Sequence, residues 1–214
     1  MEDIRIEDAL PVVFEHDRVR ASEVWRSRLK IRRGERIVIS AESGTGKSSL
    51  CAYLYGNRKD YLGKILFNGD DIRNFSIGEW QELRRRHLSY LPQELSLFPE
   101  LTAMQNIELK NSLTGHVGRD RIEEWLQMLG IEARADFPVG KMSVGQQQRV
   151  GIIRALCQPF DFILLDEPVS HLDENNNRIA ARLIAEEAER QGAGIIATSV
   201  GNHLLLEDAV TICL

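Results

Sequence analysis

Apolar residues in this chain come in short continuous runs, and these runs alternate with longer stretches in which apolar positions recur every three or four residues. Residues 35–41, 64–67, 87–91, 160–166, 194–198 and 209–213 read as strands. Ahead of them, Val12-Val13-Phe14 reads as a short strand, and residues 23–31 alternate loosely. Asn68-Gly69-Asp70 after the second run is a hairpin signal, because Asn and Gly both tolerate positive φ. Helical stretches are predicted over 76–86, over 102–109 with Thr102 as cap, over 143–156 and over 175–191 with Gly192 as its stop. Ile122, Trp125, Leu126 and Leu129 stand at i, i+3, i+4 and i+7, an amphipathic helix ended by Gly130. Ser143 with Gln146 three residues later fits a capping box.

Strands that are apolar on every residue need cover on both faces, and their alternation with helices gives them that cover. The predicted class is therefore α/β, with a mostly parallel sheet. Antiparallel strands are expected at the N-terminus, and residues 94–142 carry helix signals without strand signals. We expect one domain over 1–214, with 1–93 and 143–214 forming the core and 94–142 an inserted helical subdomain.

Bulk properties narrow the partners. The 214 residues are 43% hydrophobic and 28% charged, ordinary for a soluble domain, and a net charge of −5 speaks against nucleic acid. No apolar run is long enough to span a bilayer, and the charged opening Met1-Glu2-Asp3-Ile4-Arg5 does not read as a secretory signal. Cys51, Cys157 and Cys213 sit far apart in apolar contexts and read as buried thiols in a reducing compartment. The five histidines show no metal-ligand spacing.

The chemistry begins at Ala41-Glu42-Ser43-Gly44-Thr45-Gly46-Lys47-Ser48, between a predicted strand and a predicted helix. This fits the phosphate-loop pattern G-x-x-x-x-G-K-[ST], with Ala41 at the first glycine position. Gly44 and Gly46 let backbone N–H groups converge on one spot, and the helix N-terminus adds partial positive charge there. Lys47 adds a full charge, and the Ser48 hydroxyl suits Mg²⁺. Phe162-Ile163-Leu164-Leu165 then delivers Asp166 and Glu167 to the carboxyl edge of the sheet. Asp166 suits Mg²⁺ binding, directly or through water, and Glu167 suits positioning or deprotonating a water.

Between these motifs, Met142-Ser143-Val144-Gly145-Gln146-Gln147-Gln148-Arg149 resembles the LSGGQ-x-x-R signature of ATP-binding cassette (ABC) ATPases. Tyr90-Leu91-Pro92-Gln93 looks like that family's Q-loop and Ser170-His171-Leu172-Asp173 like its D-loop. Phe14 falls where an adenine-stacking aromatic would. Residues 63–93 and 97–107 look most like the lipoprotein-release, macrolide-exporter and cell-division group. The resemblance implies a P-loop NTPase fold, with ATP held by Phe14, Ser43, Gly44, Thr45, Gly46, Lys47, Ser48 and Ser49. It also implies Mg²⁺ at Ser48, Gln93 and Asp166, and catalysis by Glu167, Gln93 and the switch position Ser199. A second cassette would supply Ser143, Gly145 and Gln146 in trans, with Asp173 at the interface. A membrane permease would be the other partner. The implied location is cytoplasmic, on the inner face of the cell membrane.

Three positions depart from the family pattern. Ala41 replaces a phosphate-loop glycine, Val144 replaces the first signature glycine, and Ser199 stands where the switch histidine is usual. His203, one turn further on, is either a displaced switch residue or a solvated surface histidine. Two readings other than a transport ATPase stay open: an ATP-dependent clamp that moves no substrate, and a weakly hydrolysing regulatory scaffold.

Overall fold

The computed structural model describes residues 1–16, 22–42 and 44–214. In chain order its strands and helices are β1 (Asp3–Pro11), β2 (Arg28–Arg32), β3 (Arg36–Ser40), α1 (Lys47–Leu54), β4 (Tyr61–Phe67), β5 (Asp70–Asp71), α2 (Ile77–Arg86), β6 (Leu88–Leu91), α3 (Ala103–Asn111), α4 (Arg119–Met128), α5 (Val144–Leu156), β7 (Phe162–Asp166), α6 (Glu174–Gln191), β8 (Gly194–Ser199) and β9 (Val210–Cys213). Two sheets result, one in the order β2-β1-β4-β5 and one in the order β6-β7-β8-β3-β9. Pairing is antiparallel throughout the first and parallel throughout the second. The expected α/β class is borne out.

The parallel sheet is covered on both faces, and the strand sequences show why. Phe162 and Leu164 of β7 join a core with Ile39, Leu50, Tyr53 and Ile65, toward α1 and the antiparallel sheet. Ile163 and Leu165, pointing the other way, join Val150, Ile153, Ile184 and the subdomain residues Met104, Trp125 and Leu126. A strand buried on both faces has no polar alternate positions, hence its continuous apolar run. The helices between β6 and α5 therefore share their core with α5 and the sheet.

Local signals account for most boundaries. Ser76 with Glu79, Thr102 with Gln105 and Ser143 with Gln146 each close a capping box. Gly192, at φ 60°, ends α6 in the left-handed conformation. Asn68 (φ 52°) and Gly69 (φ 95°) make the tight β4–β5 turn.

Two expectations fail. Val12–Phe14 is a 3-10 turn and not a strand. The N-terminal strand runs earlier, ending at Pro11, and the Val12 N–H still donates to the Asp60 carbonyl at 3.0 Å before the chain turns. Cys213 is exposed, because β9 is the edge strand of its sheet, whereas Cys51 and Cys157 are buried. Burial pushes the Cys51 thiol well above its ordinary pKa and the Cys157 thiol up to about 12, so neither is a ready nucleophile. No helix among the described residues is long and apolar enough to cross a membrane.

One close approach sets the register of the antiparallel sheet. The β1–β4 pairing shifts between Glu7 and Leu10, with Asp8 at φ 51°, and Gly63 lies across from this bulge at φ 74°. A Cβ on Gly63 would stand 2.3 Å from the Asp8 carbonyl oxygen. Because both the clash and the strain involve backbone, Gly63→Ala should cost about 2 kcal/mol or more of stability. Denaturant unfolding of the two proteins side by side is the check.

Candidate functional site

The site lies at the carboxyl edge of the parallel sheet, where β3, β8 and β7 end as neighbours. Ser40 is in register with Ser199, and Asp166 with Thr198. The loop leaving β3 closes on itself: the Thr45 hydroxyl donates to the Glu42 carbonyl at 2.9 Å, and Lys47 Nζ donates to the same oxygen at 2.8 Å. Lys47 is only 5% exposed, so its ammonium is held inside the loop and not in bulk water. Gly46 caps α1 at φ 99° with no side-chain cap hydrogen bond, leaving the helix N-terminus open to an anion.

Two aromatic rings support this loop. A Cβ on Gly46 would lie 3.1 Å from the Phe14 ring and 3.3 Å from the Trp25 ring. The Trp25 indole N–H donates to the Thr45 carbonyl at 3.0 Å. Phe14 therefore stands beside the phosphate loop. Trp25 is a site residue that sequence reasoning missed, since its loosely alternating surroundings read only as strand. Gly44, at φ 83°, keeps the left-handed conformation its role requires, and Ser43 lies outside the described residues. The Ser49 hydroxyl accepts from Arg58 at 2.9 Å.

Across from the loop, three side chains form a line. Ser48 Oγ and Gln93 Oε1 are 3.5 Å apart, and Gln93 Nε2 donates to Glu167 Oε2 at 3.3 Å. Asp166, 2% exposed, accepts from the Thr198 hydroxyl at 2.6 Å. Glu167 has φ 52°, a left-handed conformation that an L-residue adopts only when its surroundings impose it. Its N–H is held by the Thr198 carbonyl at 3.2 Å. Its own carbonyl accepts from buried Gln148 at 3.0 Å. That turn takes Glu167 off the strand line and toward Gln93.

Gln148 is the second residue missed. Its amide also donates to the Ser170 hydroxyl at 3.2 Å and accepts from the His171 N–H at 3.0 Å. It thus ties α5 to both Glu167 and the segment that follows. The motif's third glutamine carries that signal, since it alone of Gln146-Gln147-Gln148 is buried.

Ser143 and Gln146 spend their side chains on the cap of α5, and no described hydrogen bond joins either to Ser48, Gln93 or Glu167. Val144 is 51% exposed on the same surface. Gly145 abuts the segment before α6, where an added Cβ would sit 2.8 Å from the His171 carbonyl oxygen. Asp173 caps α6 by accepting from the Asn176 N–H at 2.8 Å, and that hydrogen bond holds its carboxyl below the usual range. Ser199 is 2% exposed, and its hydroxyl pairs with His203 Nδ1.

The description "ABC transporter" belongs to the family model that matches residues 25–170, more than half of the chain, a span that takes in the phosphate loop, Gln93, the 143–149 segment, Asp166 and Glu167. The chain belongs to the ABC transporter family. Its cassette is 36% identical over 179 residues to the macrolide export ATP-binding/permease protein MacB of Shewanella oneidensis, a match covering 82% of this chain and 27% of that protein. The cassette thus spans about a quarter of the length of that relative. The ABC transporter ATP-binding protein YtrE of Bacillus subtilis is 34% identical over 167 residues, 77% of this chain and 72% of YtrE. Among solved structures, the dimeric bacterial ABC transporter cassette MJ0796 superposes with a TM-score of 0.77 at 26% identity, over 92% of this chain and 87% of that one. The same cassette is known as a dimer in a post-hydrolysis state bound to ADP and Pi, and superposes with a TM-score of 0.75.

The Gly145 contact makes a prediction that a helix-propensity argument does not. Gly145→Ala should push the 170–173 segment away from α5 while leaving the phosphate loop intact. ATP affinity of the isolated cassette should stay within about threefold, and turnover should fall by roughly tenfold or more. Nucleotide titration beside steady-state turnover reads the two effects apart.

Proposed function

We propose that this cassette is the ATP-binding and ATP-hydrolysing subunit of an ABC transporter, and that it powers a separate permease through ATP-driven pairing of two cassettes. The observation that carries the proposal is the line Ser48–Gln93–Glu167, beside Asp166 and facing an open helix N-terminus. A hydroxyl, an amide and a carboxylate so aligned support the reading that the terminal phosphate of a loop-bound nucleotide lies beside them.

In this reading Lys47 exchanges the Glu42 carbonyl for phosphate oxygens, and the N–H groups at the start of α1 hold the rest. Ser48, Gln93 and Asp166 would hold Mg²⁺, and their donors, all hard oxygens, fit it. The ion supplies charge neutralisation at the phosphates when bound. Glu167 accepts a proton from the water whose oxygen bonds to the terminal phosphorus. The bond from phosphorus to the bridging oxygen breaks, and ADP and phosphate result. Gln93 keeps Glu167 aimed at that water. Ser143, Gly145 and Gln146 are on a surface remote in hydrogen bonding from their own loop, which suits service to a partner's nucleotide, with Asp173 beside them.

The permease is proposed to bear on the surface of residues 94–142. Between α1, the Gln93 loop, α3 and α5 lies a cleft of about 450 Å³ lined by Tyr55, Tyr90, Gln93, Lys110 and Arg154. Force applied there reaches Gln93 directly. The proposed location is the inner face of the cell membrane, held by the permease. Serine at the switch position favours one alternative, a cassette that binds ATP as a regulatory scaffold and hydrolyses it weakly.

Two variants test the proposal. Lys47→Ala should lose Mg-ATP binding or turnover, and unchanged affinity and rate would sink the assignment. Glu167→Gln should keep the hydrogen bond to Gln93 but lose the base, trapping an ATP-bound dimer. Size-exclusion chromatography in saturating Mg-ATP should then show a dimer where the ADP form is monomeric; a strictly monomeric trapped variant argues against the cassette pairing.

A further inference from the structure

Ser199 ends β8 between the phosphate loop and Glu167. Its carbonyl accepts from the Ala41 N–H at 3.3 Å, its neighbour Thr198 holds Asp166, and its side chain is buried. A buried hydroxyl at this edge can donate to a terminal phosphate, but alone it is a weak donor. Its partner is His203 Nδ1.

His203 does not behave as a loose surface side chain. Fully buried Asn177 of α6 donates its amide to the His203 carbonyl at 2.8 Å and accepts from the Leu205 N–H at 3.1 Å. Asn202 donates to the Val169 carbonyl at 2.9 Å, within the turn that follows Glu167. A buried amide is thus spent on fixing the backbone at this histidine and two residues beyond it. The same turn fastens that backbone to the segment carrying Glu167.

From this geometry we propose that Ser199 and His203 act as one unit, in which the histidine is a positioning residue and the serine hydroxyl contacts the terminal phosphate. In its Nδ1–H tautomer the imidazole donates to Ser199 Oγ. The hydroxyl proton is then free to point at a phosphate oxygen, and the two hydrogen bonds polarise one another. The unit rests on the ATPase reading above and adds to it a hydroxyl donor at the end of β8, beside those of Lys47 and the start of α1. It also removes the argument for a scaffold, because serine at this position is not alone.

The test uses the whole chain and four variants: Ser199→Ala, His203→Ala, the double variant and His203→Asn. Each alanine should lower kcat roughly 100-fold, the size typical of one preorganised transition-state donor, with KM for ATP nearly unchanged. The double variant should be no slower than the slower single, since both remove one chain of hydrogen bonds. His203→Asn should recover much of the loss, because an asparagine amide can occupy the place of Nδ1. Wild-type rates in either alanine variant, or losses that multiply in the double variant, would overturn the unit.

A second measurement does not depend on turnover. In ¹⁵N-histidine spectra the His203 Nδ1 signal should shift on adding Mg-AMP-PNP but not Mg-ADP, and the difference should vanish in Ser199→Ala. Identical wild-type spectra with the two nucleotides refute the unit while tight AMP-PNP binding leaves the ATPase reading standing. Absence of nucleotide binding refutes both.

Discussion

Everything at the site depends on three parallel strands ending side by side. The hydrogen-bond ladder of β3, β8 and β7 sets Ser40 against Ser199 and Thr198 against Asp166. Strand spacing is close to 4.8 Å, so the phosphate loop, the Thr198–Ser199 pair and the two carboxylates fall within one nucleotide's reach. A shift of one residue in either pairing would turn Asp166 into the core and carry Ser199 away from the loop. That register is enforced by burial: Ile163, Leu164, Leu165, Ile195 and Ile196 have no exposed face to which they could slip.

This edge is linked to its surroundings through a few buried hydrogen bonds. Glu167 sits in a strained left-handed turn, pinned by Thr198 on one side and Gln148 on the other. Gln148 belongs to the helix that Ser143 caps, and it also holds the segment leading to Asp173. A displacement of α5 is therefore felt at Glu167 through one buried amide. Gln93 makes a similar link from the cleft beside α3. These contacts give the nucleotide and the surfaces around it a short physical route to one another, in the sense that each bears on the same carboxylate.

The sequence was most legible where periodicity and chemistry agreed. Continuous apolar runs identified the parallel strands because full burial removes every polar position. Thr102, Ser143 and Gly192 marked helix ends by local chemistry alone. The cluster of Gly44, Gly46, Lys47 and Ser48 and the pair Asp166–Glu167 were readable because each carries its own physical reason. Less legible were residues whose role comes from long-range packing. Trp25 supports the loop from 20 positions away in sequence, and Asn177 fixes a segment 26 positions on. Val12–Phe14 read as strand because apolar, β-branched residues favour that state, but after Val12 the chain closes a 3-10 turn, with the Glu15 N–H donating to the Val12 carbonyl at 3.0 Å. Cys213 read as buried because its neighbours are apolar, yet an edge strand leaves it open. His203 could not be placed from spacing, since only the folded loop returns it to Ser199.

A crystal structure of the chain with Mg-AMP-PNP decides between the site described and any other. The terminal phosphate should lie within hydrogen-bonding distance of Lys47 Nζ, with the metal between Ser48 and Gln93. Glu167 should face that phosphate, and the Ser199 hydroxyl should touch it. Nucleotide bound elsewhere, or phosphates that leave Lys47 on the Glu42 carbonyl, would contradict it.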